Sequence, residues 1–349
     1  MGASMEEKYF VASNSADGFC SYYKNAFDIE KFNRIYAIKG GSGTGKATFM
    51  KKVAREAEKR DFSVRYIYCS SDAQSLDAVI IKDLGIAVLD GTAPHVYEPR
   101  LVGAVDTIVD LGRFLNEGRL FSKREQINSL SKKKGGHFTA AYKYLAAYRE
   151  LSENMEKLII PAVNFDKMRK YISRFSTASK GGGREENLLV SSIGMRGISH
   201  FDTYFNVANI YYQIKDYFET GHIFITEVYR LLDGGADLQI SNAPIIPSRL
   251  DALLVKGGEL AFEIADGKRE GARVINMQRF VHSDKIASVR TEYRAIAKSR
   301  DEILALALDE FKKISEVHFE LEKIYGEAMD FDAKEQFEAD FCNKIFQNN

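Results

Sequence analysis

One run constrains this chain more than any other: Gly40-Gly41-Ser42-Gly43-Thr44-Gly45-Lys46, which follows the β-branched and aromatic stretch Arg34-Ile-Tyr-Ala-Ile38. Glycines and a lysine at the G-x-x-x-x-G-K spacing are informative when a strand precedes them and a helix follows, and both are predicted here. The glycines let successive backbone N–H groups turn inward around an anion. Lys46 adds a point charge, and the following helix directs its positive dipole end at the same place. Phe49, Val53 and Ala57 recur at a spacing of four, whereas Lys51, Lys52, Arg55, Glu56 and Lys59 point elsewhere, the pattern of an amphipathic helix on a sheet. A second strand is predicted over 63–69 and a third apolar run spans 86–89, ending in Asp90. Short buried strands alternating with helices predict a parallel α/β sheet with ligands at the carboxyl ends of its strands. The segment Gly40, Gly41, Ser42, Gly43, Thr44, Gly45, Lys46, Ala47 and Thr48 is therefore the candidate nucleotide-binding element.

Asp90 has the form of the acid that organises a magnesium shell beside such a loop, which makes it both the candidate metal ligand and, with Lys46, a candidate catalytic residue. The residue after Lys46, where a hydroxyl would ligate magnesium, is Ala47. Thr48 is one helical step further and turned by about 100°. Either magnesium is held by water, phosphate and Asp90, or nucleotide is bound with weakened hydrolysis. The loop Gly91-Thr92-Ala-Pro-His95 lies at the same strand end, so Thr92 and His95 are candidates for phosphate sensing or for positioning water. Asp72 and Asp77 follow the second strand; Asp77 recurs in the second half as Asp251, which favours a structural cap.

The two halves of the 349-residue chain repeat one another. Ser75-Leu-Asp77-Ala-Val-Ile-Ile-Lys82 is matched by Arg249-Leu-Asp251-Ala-Leu-Leu-Val-Lys256. Met155-Glu-Lys-Leu158 through Asn164-Phe-Asp166 is matched by Leu321-Glu-Lys-Ile324 through Asp330-Phe-Asp332, and Phe138, Tyr142 and Leu145 fall opposite Leu304, Leu308 and Phe311. Thr44-Gly45-Lys46 then faces Thr220-Gly221-His222, and the spacing from Lys46 to Asp90 equals that from His222 to Asp266. In the second copy Tyr217-Phe-Glu219 replaces the glycines, so that loop is expected to be a degenerate one. The expected division is a P-loop domain over 8–120, a helical hairpin over 121–175, a linker over 176–199, a degenerate loop domain over 200–285 and a second hairpin over 286–345. Lys132-Lys-Lys-Gly-Gly-His137 is expected as a solvated turn inside the first hairpin. The opening Met1-Gly-Ala-Ser-Met5 reads as a cloning remnant.

Composition narrows the partners. Lys plus Arg and Asp plus Glu are both 49, which gives no global field for nucleic acid or an acidic membrane. Three separated cysteines without metal-ligand spacing fit a reducing cytoplasm rather than a disulfide framework. No apolar run is long enough to span a bilayer.

The loop, the segment Cys69-Ser-Ser-Asp-Ala-Gln-Ser-Leu-Asp77, the segment Leu89-Asp-Gly-Thr-Ala-Pro-His95 and Phe10-Val-Ala-Ser13 with Gly18-Phe19 together resemble a family of bacterial tandem P-loop ATP-binding proteins. The resemblance covers nearly the whole chain. It implies a tandemly duplicated P-loop NTPase-like parallel sheet with flanking helices, each half with an appended helical hairpin, and ATP with Mg2+ as ligands. The expected function is ATP binding with slow or regulated hydrolysis coupled to the helical regions, which could engage a protein partner. A small-molecule or nucleotide kinase, for which Lys123-Arg124 and 180–184 are candidate lid residues, and a non-hydrolysing scaffold are the alternatives.

Overall fold

The computed structural model describes residues 6–94, 96–178, 181–256 and 260–347. Met1–Met5, His95 and Lys180 lie outside them. The architecture is mixed α/β, with two six-stranded mixed sheets and flanking helices. The first sheet contains β1 (Glu7–Phe10), β2 (Arg34–Lys39), β3 (Val64–Tyr68), β4 (Leu76–Ile81), β5 (Ile86–Asp90) and β6 (Asp106–Asp110) in the spatial order β1-β3-β4-β5-β2-β6. The second contains β7 (Glu185–Asn187), β8 (Ile210–Lys215), β9 (Leu238–Asn242), β10 (Leu250–Val255), β11 (Leu260–Ile264) and β12 (Arg273–Asn276), ordered β7-β9-β10-β11-β8-β12. The two orders are the same. In each sheet the third strand, β4 or β10, runs antiparallel to both neighbours and every other pairing is parallel. Even the register irregularity recurs, at Ile67/Tyr68 and at Ser241/Asn242.

The expected all-parallel sheet is thus corrected to a mixed one. A parallel return needs a crossover of a dozen or more residues. The chain between β3 and β4, and again between β4 and β5, is too short for that and can only fold back as a hairpin.

The main helices are α1 (Lys46–Glu58), α2 (Arg124–Ile159), α3 (Gly221–Leu232), α4 (Ser283–Gly326) and α5 (Phe331–Gln347). Helix α2 is 36 residues long and passes through Lys132–His137 without a turn, so the turn expected there is absent. Two glycines inside a helix cost about 1 kcal/mol each. Packing offsets that cost: α2 lies antiparallel against the 44-residue α4, burying Leu145, Phe311 and Ile314 with Phe138 and Tyr142 beside them. Complete burial of a side chain such as Phe311 contributes roughly 2–3 kcal/mol. Instead of a hairpin within each half, each half supplies one long helix and the two pair with each other.

Of the stretch 176–199, expected as a linker, Glu185–Asn187 forms edge strand β7 and Ser191–Gly194 pairs with Gly197–His200.

The helices that follow the long pair are exchanged. Phe341, Cys342 and Ile345 of α5 pack with Phe49, Met50 and Val53 on the first sheet. Met168, Ile172 and Phe175, which follow α2, pack with Phe224, Ile225 and Phe262 on the second. The supporting backbone hydrogen bonds are reciprocal. Asn116 N–H donates to Ala328 O and His282 N–H to Ala162 O, both at 2.8 Å; Asn164 N–H donates to Phe280 O at 2.7 Å and Asp330 N–H to Phe114 O at 2.9 Å. The remaining faces of the two sheets share a cluster in which Ile35, Ala37 and Leu89 meet Tyr211, Leu254 and Ala261.

Candidate functional site

Strand β2 ends at Lys39, whose ammonium donates to the carbonyls of Gly91 at 2.7 Å and Tyr97 at 3.1 Å, tying the loop after β5 to the loop after β2. Between Lys39 and α1 run Gly40 to Gly45. Gly43 and Gly45 hold φ of 71° and 76°, the left-handed region that favours glycine. At Gly43 a Cβ would also lie 2.5 Å from the carbonyl oxygen of Glu322 on α4. Lys46 folds back over the loop and donates to Gly40 O at 3.0 Å and Gly41 O at 2.9 Å, with Asp90 3.5 Å away. Asp90 accepts from the Thr92 N–H at 2.9 Å and from the Thr92 hydroxyl. Burial holds its carboxyl above the ordinary aspartate range, against the pull of Lys46 and Thr92.

All nine residues from Gly40 to Thr48 line one cavity of about 940 Å³, together with Asp72, Asp77, Asp90 and Thr92. The sequence candidates are therefore gathered in one place, His95 excepted, which lies outside the described residues. Asp72 caps the turn at Gln74 and pairs with Arg196 at 2.6 Å. Tyr23 donates to the Asp77 backbone carbonyl. Burial, with Asp77 beside it, pushes the Cys69 thiol well up, so this cavity cysteine is not a thiolate. Lys123 pairs with Glu327 rather than joining the lining.

The wall opposite the loop comes from the long helices: Lys134, Phe138 and Tyr142 of α2 with Ile314, His318 and Glu322 of α4. Sequence reasoning missed Lys134, treating 132–137 as a turn. The usable signal was its helical phase: Lys134, Phe138 and Tyr142 recur every fourth residue, so they share a face.

The second loop has the same length and different chemistry. Glu219, three residues before His222 as Gly43 is before Lys46, also sits in the left-handed region with φ of 55°. Asp216, at the place of Gly40, accepts from the N–H groups of Phe218 at 3.3 Å, Thr220 at 3.0 Å and Gly221 at 2.7 Å. A carboxylate of the chain itself thus fills the helix N-terminus. Among the described residues, no side chain accepts from the corresponding N–H groups of Ser42, Thr44 and Gly45. Glu219 pairs with Arg300 of α4 and lies 3.8 Å from Arg249, and His222 lies 3.4 Å from Glu156.

Asp266 does not correspond to Asp90. Strand register sets Ile38 opposite Asp90 and Ile214 opposite Ile264, so an isoleucine occupies the acid's place. The path from His222 to β10 is two residues shorter than that from Lys46 to β4, and equal spacing along the chain conceals this.

Comparison with protein-family models, with curated proteins and with solved structures returned no match. Among the described residues no helix is long and apolar enough to cross a membrane, and no group of three or more His, Cys, Asp or Glu residues could hold a metal ion.

Proposed function

We propose that the chain binds a nucleoside triphosphate in the cavity formed by Gly40–Thr48, and hydrolyses it slowly under the control of the long helix pair. The observation that carries this reading is the loop itself: a nest of Ser42, Thr44 and Gly45 N–H groups that meet no acceptor among the described residues, with Lys46 and Asp90 3.5 Å apart at its mouth. Asp90 is the carboxylate that would hold magnesium. That ion takes one or two carboxylates and completes its shell with water and phosphate oxygens, and Asp77 lines the same cavity near Asp90. Ala47 supplies no oxygen, in keeping with slow turnover. ATP over other nucleotides follows from the family resemblance. Cytoplasmic residence and a protein partner at the helices belong to the same proposal.

We read the halves as tandem copies, a view supported by identical strand order and reciprocal hydrogen bonds, with the second copy's loop retired from phosphate binding. A kinase is the second reading. It is favoured by the apolar part of the cavity lining, in which Phe19, Phe138, Tyr142, Met195 and Ile314 offer room for an acceptor molecule.

Titration calorimetry with ATP, joined to a phosphate-release assay with and without a metabolite panel, tests these readings. One ATP per chain is expected, abolished in Lys46→Ala and kept in His222→Ala. Two ATP per chain, or loss in His222→Ala alone, would overturn the assignment. Phosphate transferred to a metabolite rather than released would move the kinase ahead.

A further inference from the structure

The two long helices carry a cation at matching positions. Lys134 follows Asn116 by the same number of residues as Arg300 follows His282, and Asn116 and His282 are related by the reciprocal hydrogen bonds. Arg300 is spent: it pairs with Glu219, the carboxylate that the second loop presents in left-handed conformation. In the first loop the matching residue is Gly43, which has no carboxylate to give.

Lys134 is accordingly left facing the cavity. Its ammonium lies 3.0 Å from His318 Nδ1, and His318 Nε2 lies 3.3 Å from Glu322. Among the described residues no carboxylate is in ion-pair contact with it. Burial, with the Lys46 charge adding to it, holds this amine below the ordinary lysine range. Lys46, Lys134 and Lys323 thus line one cavity, and the second half shows the helix cation that matches Lys134 met by a carboxylate.

We propose that Lys134 is a second phosphate ligand of the first site, reaching across from α2 to the terminal phosphate of the bound nucleoside triphosphate. This rests on the nucleotide-binding reading above. The loop and Lys46 wrap the inner phosphates, and the group projecting furthest from the loop is the one the opposite wall can touch. Nucleoside diphosphate leaves Lys134 without its anion. The state of the nucleotide is thereby read directly by the long helix pair.

The test is calorimetric titration of the full chain with ATP and with ADP, each with magnesium, for the parent, Lys134→Met and Lys134→Arg. Lys134→Met should weaken ATP by about tenfold or more and ADP by less than about twofold, with Lys134→Arg near the parent. Lys134→Gln carries the same expectation should methionine disturb the helix. Lys132→Met and Lys133→Met control for general charge, because both side chains are exposed on the same helix. Equal weakening of ATP and ADP, no change in either, or a loss in the control variants as large as that in Lys134→Met would overturn the assignment while leaving nucleotide binding intact. A parent that binds neither nucleotide would remove the underlying reading as well.

Discussion

The two loops have one length and share one left-handed backbone position, Gly43 and Glu219, and they differ in where the anion comes from. In the second loop the chain supplies it, as Asp216 on the N–H groups and Glu219 on Arg300. In the first, glycines stand at both places, and among the described residues no carboxylate is in hydrogen-bond or ion-pair contact with the N–H groups or with Lys134. On the proposed reading, a carboxylate at the first glycine closes the site by satisfying the same donors, while the left-handed position at Gly43 is kept in Glu219 and that at Gly45 is not kept in Gly221. The apolar counterpart of Asp90 is Ile264, which lies against Gly221, where a Cβ would approach it to 2.9 Å.

The sharpest way to break this comparison is to copy the closed loop into the open one. Gly40→Asp places a carboxylate where Asp216 stands, with only the Thr44 hydroxyl to turn aside, 2.8 Å from the new Cβ. ATP affinity should fall by about a hundredfold or more, near 2.7 kcal/mol, while the melting curve stays cooperative. A variant that binds ATP like the parent would mean that the loop N–H groups are not the anion site.

The reverse change is smaller. Asp216→Gly strips the acceptor from Phe218, Thr220 and Gly221, and should lower stability by about 2 kcal/mol. Sulfate should restore part of it by binding the emptied nest, as ligands of the native state do. Melting temperature against sulfate concentration checks this, and an unchanged melt would show that the carboxylate is dispensable.

Ala47→Ser adds one oxygen at the start of α1, the ligand that the first loop lacks. Turnover should rise about tenfold, near 1.4 kcal/mol, with little change in ATP affinity. Phosphate release across a magnesium titration decides it; no gain would favour the scaffold reading.

The smallest expected effect lies in the long helices. Gly135 and Gly136 match Asp301 and Glu302 of α4, and nothing lies within 4 Å of a Cβ at either glycine. Gly135→Ala should stabilise the chain by up to about 1 kcal/mol, visible in denaturant melts. Stabilisation joined to slower turnover would show that bending at this point serves the first site alone.

Much of the first site was legible because its signals are local. Strand β2, the glycines, Lys46 and the face of α1 follow from adjacent residues and one period. Strand direction was not legible from apolar runs: the segment 76–81 reads as a buried strand either way, and only the short connections around it settle the matter. Lys134 was hidden because a lysine triplet resembles solvated surface unless it is phased against Phe138 and Tyr142. Asp216 has no local signal in the sequence, because a carboxylate before Tyr217-Phe-Glu219 reads as one more loop acid until the backbone turns the Thr220 and Gly221 N–H groups onto it. Asp266 was misassigned because counting residues is no substitute for strand register.

The exchange of helices after the long pair has a topological consequence. Each half leaves one face of its own sheet to be roofed by the other, so severing the chain near 181–183 would not release two independent modules. A lone first half would bare the apolar surface of Phe49, Met50 and Val53, and would carry Met168, Ile172 and Phe175 with no second sheet to receive them. It could close its core only by joining the missing half or by trading helices with another copy of itself, which makes the intact chain the single-chain counterpart of a helix-swapped, two-fold symmetric dimer.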